Sequence, residues 1–304
     1  MLAALTATGL FSLSIICASR STRLLGGVRA NFYRILMAAV LLGIWAHAKG
    51  QGLRGPAQPW FFLSGCIGFG IGDMALYQAL PKLGARLSMV LVHCLAAPCA
   101  ALIEWGWLGT RMDPVQLGAT ALILSGVAVA LAPGENIGVR GRGLGIGIAF
   151  GTVAALGQAI GAVISRKAFA MNRLAGLELD GGTAAYQRIL GGLLVTLVAM
   201  AMIKEWRQSL HPFDALEKGR PAAGLKSPML WVLANSLAGP TIGVSFFQLA
   251  LRTTPSGLVL PIVATTPILV IPLAFWMEGD RPTLRSLAGG AAAVAGAVLL
   301  AMNR

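Results

Sequence analysis

Runs of about twenty apolar residues, the length of helix that crosses a bilayer core, recur along the whole chain with only short polar breaks between them. They fall at residues 2–18, 29–47, 59–80, 86–109 and 114–132, and again at 143–165, 183–203, 228–250, 257–277 and 284–302. Ten such runs in 304 residues leave no room for an appended soluble domain. Only 12% of the residues are charged, 56% are hydrophobic and the mean hydropathy is +0.75. Soluble domains carry about twice that share of charge, so the pattern predicts an all-α integral membrane protein. The net charge of +13 does not point to nucleic acid, because the Lys and Arg residues stand singly or in pairs between apolar runs, as in membrane loops. Cys17, Cys66, Cys94 and Cys99 lie inside apolar runs and read as small buried hydrophobes, with neither disulfide nor metal-ligand spacing. Residues 1–18 lack the basic start of a secretory signal and read as the first spanning helix.

The runs divide into two groups of five: residues 1–132, a connecting polar turn at 133–142, and residues 143–304. The groups resemble each other. Ala30-Asn31-Phe32-Tyr33-Arg34-Ile35-Leu36 in the second run matches Ala184-Ala185-Tyr186-Gln187-Arg188-Ile189-Leu190 in the seventh, and the third and eighth runs end on Tyr77-Gln78-Ala79-Leu80 and Phe247-Gln248-Leu249-Ala250. The fourth and ninth both carry proline: Pro98 in one, and Pro261, Pro267 and Pro272 in the other. An odd number of helices per repeat makes the halves insert in opposite senses, the inverted repeat of many transporters, whose substrate lies near the midplane between the halves.

This order of features resembles the EamA-type members of the drug/metabolite transporter superfamily over nearly the whole chain. The residues that carry the likeness are Gly72-Asp73, Ala79-Leu80, Gly84-Ala85, Pro98, Gln116, Gly118 and Gly126 in the first half, and Arg188, Gln248, Pro267, Glu278 and Gly289 in the second. One departure is Gly109-Thr110-Arg111, where the family often has Gly-Glu-Arg; the second half keeps Glu278, followed by Gly279-Asp280-Arg281. The resemblance implies ten helices in two inverted halves, both termini in the cytoplasm, and export or exchange of a small polar metabolite such as an amino acid across the inner (plasma) membrane. It identifies a superfamily and no substrate. The loop charges lean against that orientation: with a cytoplasmic start, eight basic residues fall inside and fourteen outside, or nine outside without the long 204–227 loop.

Among residues that bear chemistry, Asp73 stands well inside an apolar run, where an unpaired carboxylate costs about 2.5–3.5 kcal/mol to insert. With Tyr77 one turn later and Gln78 beside it, the third helix carries a polar stripe. Asp73 reads as a substrate- or proton-binding group, or as a buried structural carboxylate. His93, mid-span in the fourth helix, reads as a group titrating near neutral pH or as a neutral core histidine. Glu104, Trp105 and Trp107 read as interfacial. Arg34 and Arg188 either snorkel to the headgroups or face a central cavity, where fixed positive charge would attract an anionic or zwitterionic substrate. Gln158, Asn235, Ser245 and Gln248 are further polar groups within spans, and Thr265 and Thr266 stand just before Pro267. Pro98, Pro240, Pro261, Pro267 and Pro272 are candidate hinges, since each removes a backbone donor and bends its helix.

Glycine supplies 39 residues, clustered at Gly65, Gly68, Gly70 and Gly72 and at Gly143, Gly145, Gly147 and Gly151. Such spacing suits close helix packing in lipid; neither cluster follows a strand or ends in the Lys-Ser or Lys-Thr of a phosphate loop. The expected partners are a small-molecule substrate and membrane lipids, with a homodimer left open and no cofactor, metal or nucleic acid. Two competing functions share these features. A lipid or lipid-linked-sugar flippase would use the same fold, and an intramembrane enzyme would need Asp73, His93 and Glu104 to converge as an acid/base set.

Overall fold

The computed structural model describes residues 1–131, 142–202, 228–266, 268–269 and 284–302, and these are helices joined by short turns, with no strand among them. The first half comprises α1 (Leu2–Leu25), α2 (Gly27–Ala48), α3 (Gln58–Gly65), a π-helical turn Cys66–Gly72, α4 (Asp73–Leu108) and α5 (Pro114–Leu131). The second comprises α6 (Arg142–Leu174), α7 (Gly181–Met202), α8 (Pro228–Ser236), a π-helical turn Leu237–Gly243, α9 (Val244–Thr253), α10 (Ser256–Val263) and α11 (Leu284–Met302). Seven helical stretches among the described residues are long and apolar enough to cross a membrane, and Pro114–Val129 and Leu287–Leu300 are shorter apolar helices. The expected span at 257–277 is described only over its first part, and the loops at 133–142 and 204–227 lie almost wholly outside the described residues, as do Pro267, Pro272 and Glu278 through Arg281.

Several helices run past their apolar segments. α1 continues to Leu25 instead of stopping near residue 18, because Ser21 and Thr22 are buried and Ser21 Oγ donates back to the Ala18 carbonyl at 3.1 Å. It ends at Gly26, whose φ of 77° lies in the left-handed region open to glycine. α6 extends to Leu174, past the expected end near 165, and spans 33 residues. At 1.5 Å per residue that is about 50 Å, longer than the roughly 30 Å hydrocarbon core.

The third and fourth spans were expected as separate helices, yet the backbone is helical from Gln58 through Leu108. It is not straight. Trp60 and Trp107, 47 positions apart, place their ring centroids 6.0 Å from each other, whereas a straight helix would separate them by about 70 Å. The chain therefore doubles back between the two apolar stretches Gln58–Leu83 and Leu91–Leu108, just after Pro81, near the end of the first, withdraws a backbone donor.

Glycines set the helix spacing. A Cβ on Gly65 would run into the Arg188 carbonyl, one on Gly70 would come 2.6 Å from Val195, and one on Gly157 would come 2.8 Å from the Gly72 Cα. The first glycine cluster thus seats the α3 limb and its π-turn against α6 and α7. Gly126 does the same between α5 and α11, where a Cβ would meet the Ala293 backbone nitrogen at 2.6 Å. Bulky apolar side chains such as Val40, Ile44, Leu194, Val198, Val294 and Val298 face outward, the surface a helix bundle presents to lipid.

The two halves repeat their contacts as well as their order. Both π-turns are seven residues long, and Trp60 and Trp231 each stand six residues ahead of one. Lys167 lies over the Trp60 ring at 5.0 Å, and Arg20 lies over Trp231 at 4.6 Å. Two residues before each π-turn, Ser64 donates to the Gly161 carbonyl at 2.6 Å, and Asn235 accepts from the Ser14 hydroxyl at 2.7 Å. α1 engages α8 as α6 engages α3.

Candidate functional site

Between these elements lies a cavity of about 140 Å³, walled by α1, α2, α4, α6, α7, α9 and both π-turns. The π-turns bring Gly68 and Phe69 to one wall and Gly239 and Pro240 to another. Single π-turns inside helices widen the local backbone and occur often at functional sites. Sequence reading marked the glycines of the first turn as close-packing positions and Pro240 of the second as a hinge candidate, but nothing in the composition marks the π-turn itself.

Asp73 is the first residue of α4, delivered to the cavity directly after its π-turn. Its carboxylate accepts from the Arg34 guanidinium in a close ion pair, with 24% of the Asp73 side chain exposed and 8% of that of Arg34. Arg34 also donates to Asn31 Oδ1 at 2.9 Å and lies over the Tyr77 ring at 5.2 Å. Tyr77, one turn beyond Asp73, accepts at its hydroxyl from Asn235 Nδ2 at 2.8 Å. Asp73 is thus paired with Arg34 and exposed to the cavity at once.

Arg188 occupies the same place in α7 as Arg34 in α2, and both are buried and line the cavity instead of reaching for headgroups. Their environments differ. Arg188 lies over the Phe69 ring at 5.1 Å and forms no ion pair or hydrogen bond with any described residue. Its Nη2 occupies a notch cut by two glycines: a Cβ on Gly68 would come within 2.9 Å of it, and one on Gly161 within 3.2 Å.

His93, on the returning limb of α4, is 7% exposed and lines the cavity without a hydrogen-bond partner among the described residues. Gln158 of α6 and Thr266 also line it. The Thr266 hydroxyl bonds back to Val263 at 2.6 Å while its carbonyl accepts from Ser12 at 3.0 Å. Other candidates stand apart. Asn235 lies behind the wall, holding Tyr77; Gln78, Ser245, Gln248 and Thr265 are not among the lining residues. Ser245 and Thr265 spend their hydroxyls on the Thr241 and Ile262 carbonyls, at 2.6 and 2.7 Å. Of the prolines, Pro240 lines the cavity, whereas Pro98 and Pro261 sit inside helices away from it.

Glu104 is not interfacial. It is 1% exposed, accepts from the Ser256 backbone N–H at 2.6 Å and from the Ser256 hydroxyl, and pairs with Arg166 at 3.2 Å. It caps the start of α10 and ties α4, α6 and α10 together. Trp105 and Trp107 are exposed, at 54% and 42%.

Sequence reading missed the apolar wall: Phe11, Ile15 and Ala18 of α1, Phe69, Met89, Val92, Val244 and Phe247. Phe11, Ile15 and Ala18 recur every three to four residues, the spacing of one helix face. The signal was present in the most Ser- and Thr-rich span, but an apolar stripe in an apolar helix does not stand out.

A long apolar bundle of two similar halves around a charged internal cavity defines a multi-pass membrane protein of the transporter type. The sequence matches the EamA-like transporter family over residues 1–132 and 145–302, and the chain belongs to that family, within the drug/metabolite transporter superfamily. A solved structure described only as a crystal structure of protein superposes with a TM-score of 0.72 at 18% identity, covering 99% of this chain and 96% of that one. It shares the fold. No curated protein matches the chain.

Proposed function

We propose that the protein is a secondary transporter that exports or exchanges a small polar metabolite across the inner (plasma) membrane by alternating access, without a catalytic step. The ten apolar runs then form ten spans, five in residues 1–132 and five in 143–304, inserted in opposite senses. The mirrored contacts of α1 with α8 and α6 with α3 support that arrangement.

The observation that carries the reading is the Asp73–Arg34 pair inside a cavity bounded by both halves. A buried ion pair is costly to assemble and seldom contributes to stability, and ionisable groups inside membrane helices mark substrate or ion pathways. Asp73 is the acidic side chain that lines the cavity among the described residues. Protonating it would release Arg34, so a proton and a substrate could be exchanged through one pair.

The test is flux of labelled metabolites in proteoliposomes, with and without a pH gradient, for the wild type and Asp73→Asn. Gradient-dependent flux lost in the variant is expected. Flux indifferent to Asp73→Asn would return Asp73 to a structural role, and no flux of any compound would overturn the transporter reading.

A further inference from the structure

The cavity holds two guanidinium groups and one carboxylate among its described lining residues. Asp73 is engaged by Arg34, which also has Asn31 as a partner. Arg188 has neither ion pair nor hydrogen bond among the described residues, although only 5% of it is exposed. Asp73 acts on Arg188 only at a distance and Phe69 only through its ring face, so the described lining residues carry one positive charge in excess, on a guanidinium that is poorly solvated at such depth. It keeps its charge at any working pH and presents a planar fork of donors matched to an oxyanion. The Gly68 and Gly161 notch leaves room for that fork.

On this basis, and resting on the transporter reading above, we propose that the substrate is an organic monoanion whose carboxylate or similar oxyanion is held by Arg188. Its apolar body lies against Phe11, Phe69 and Phe247, the first and last of which pack ring to ring at 6.1 Å. The charge balance excludes the other classes. A zwitterion such as an amino acid needs a free carboxylate for its ammonium, and Asp73 is already paired. A cation meets the excess positive charge of the cavity, and a neutral solute leaves that excess unmatched.

The experiment titrates purified wild-type protein in detergent, by calorimetry, with benzoate and octanoate as aromatic and aliphatic monoanions. Benzamide, benzylamine and phenylalanine serve as the neutral, cationic and zwitterionic comparisons. Binding of a monoanion at least about tenfold tighter than the comparisons is expected, a charge-assisted hydrogen bond being worth that much or more. Arg188→Gln should weaken it about tenfold or more by the same argument, with Arg188→Lys retaining part of the affinity. Gly68→Ala is the second variant: its new methyl would occupy the seat of the Arg188 Nη2, the movable end of a flexible side chain, and should weaken the monoanion while leaving the fold intact.

Failure of both monoanions to bind, binding indifferent to Arg188→Gln, or phenylalanine bound as tightly would each overturn the proposal. The titration involves no gradient and no flux. Monoanion binding without transport would therefore leave this assignment standing and remove the transporter reading, whereas transport of neutral, cationic or zwitterionic solutes alone would do the reverse.

Discussion

Asn235 Nδ2 donates to the Tyr77 hydroxyl at 2.8 Å, one of the hydrogen bonds that join the two halves of the protein. The same amide accepts from Ser14 at 2.7 Å through its oxygen, so α1, α4 and α8 meet in one chain of buried hydrogen bonds. Asn235 is fully buried and Tyr77 is 2% exposed. Water cannot easily replace a partner lost from such a chain.

Tyr77→Phe removes one hydroxyl and leaves the Asn235 amide without its acceptor. The expected cost is about 1–3 kcal/mol, the penalty for stranding a buried donor. Asn235→Ala should cost a similar amount, and the double variant less than the sum, because both remove the same bond. Unfolding in detergent with the four proteins measures this coupling. Additive losses would mean that the two residues act separately.

The Arg34–Asp73 pair makes a sharper prediction because its members are charged. Arg34→Gln alone leaves a carboxylate facing a low-dielectric wall and should destabilise by about 3–5 kcal/mol, as breaking one side of a buried pair does. Adding Asp73→Asn should recover much of that loss, since two neutral groups of similar shape need no counterion. Thermal unfolding of single and double variants provides the check, and a double variant weaker than Arg34→Gln alone would contradict it.

Fold and site were legible in the sequence to different degrees. Spans such as 29–47 and 183–203 were legible because lipid demands length and apolarity at every position, and they agree closely with α2 and α7. The π-turns were not, since the glycines of CIGFGIG suit close packing in lipid equally well and Pro240 in LAGPTIG signals only a bend. The pairing of Asp73 with Arg34 was not legible either: sequence gave the cost of a carboxylate in a span but not its partner 39 positions away. Matched positions for Arg34 and Arg188 were visible, whereas their different fates, one ion-paired and one with neither ion pair nor hydrogen bond among the described residues, depend on which residues the fold brings beside them. Glu104 misled for the same reason. Near the end of an apolar run beside two tryptophans it resembles an interface residue, and only the approach of α10 makes it a cap.

That cap gives a third prediction. Glu104→Gln loses the charge that balances Arg166 and weakens the contacts with Ser256, so stability should fall by about 1.5–3 kcal/mol, the range for a hydrogen bond to a charged group. Ser256→Ala removes only the hydroxyl contact and should cost less. Unfolding temperatures in this order support Glu104 as the tie between α4, α6 and α10; equal values for Glu104→Gln and wild type would remove that role.

Asp180 supplies the pH dependence, from a position just outside the span that begins at Gly181. Its carboxylate accepts from the Thr183 backbone N–H at 2.9 Å and from the Trp45 indole at 3.4 Å, at the positive end of α7. Burial alone would raise its pKa, but the hydrogen bonds from Thr183, Trp45 and the Gly182 N–H outweigh burial and hold it below its ordinary 3.8. A depressed carboxylate stabilises the folded state above its unfolded pKa, and the contribution is lost as pH falls through the folded pKa. Wild type should therefore exceed Asp180→Ala by about 1 kcal/mol from pH 7 down to pH 5, a typical N-cap value for a side chain still partly open to solvent. The gap should narrow only below about pH 4, where the unfolded carboxyl begins to take up its proton first. Unfolding of both proteins from pH 7 to pH 3 measures it, and a gap that widened with acid would reverse the sign of the argument.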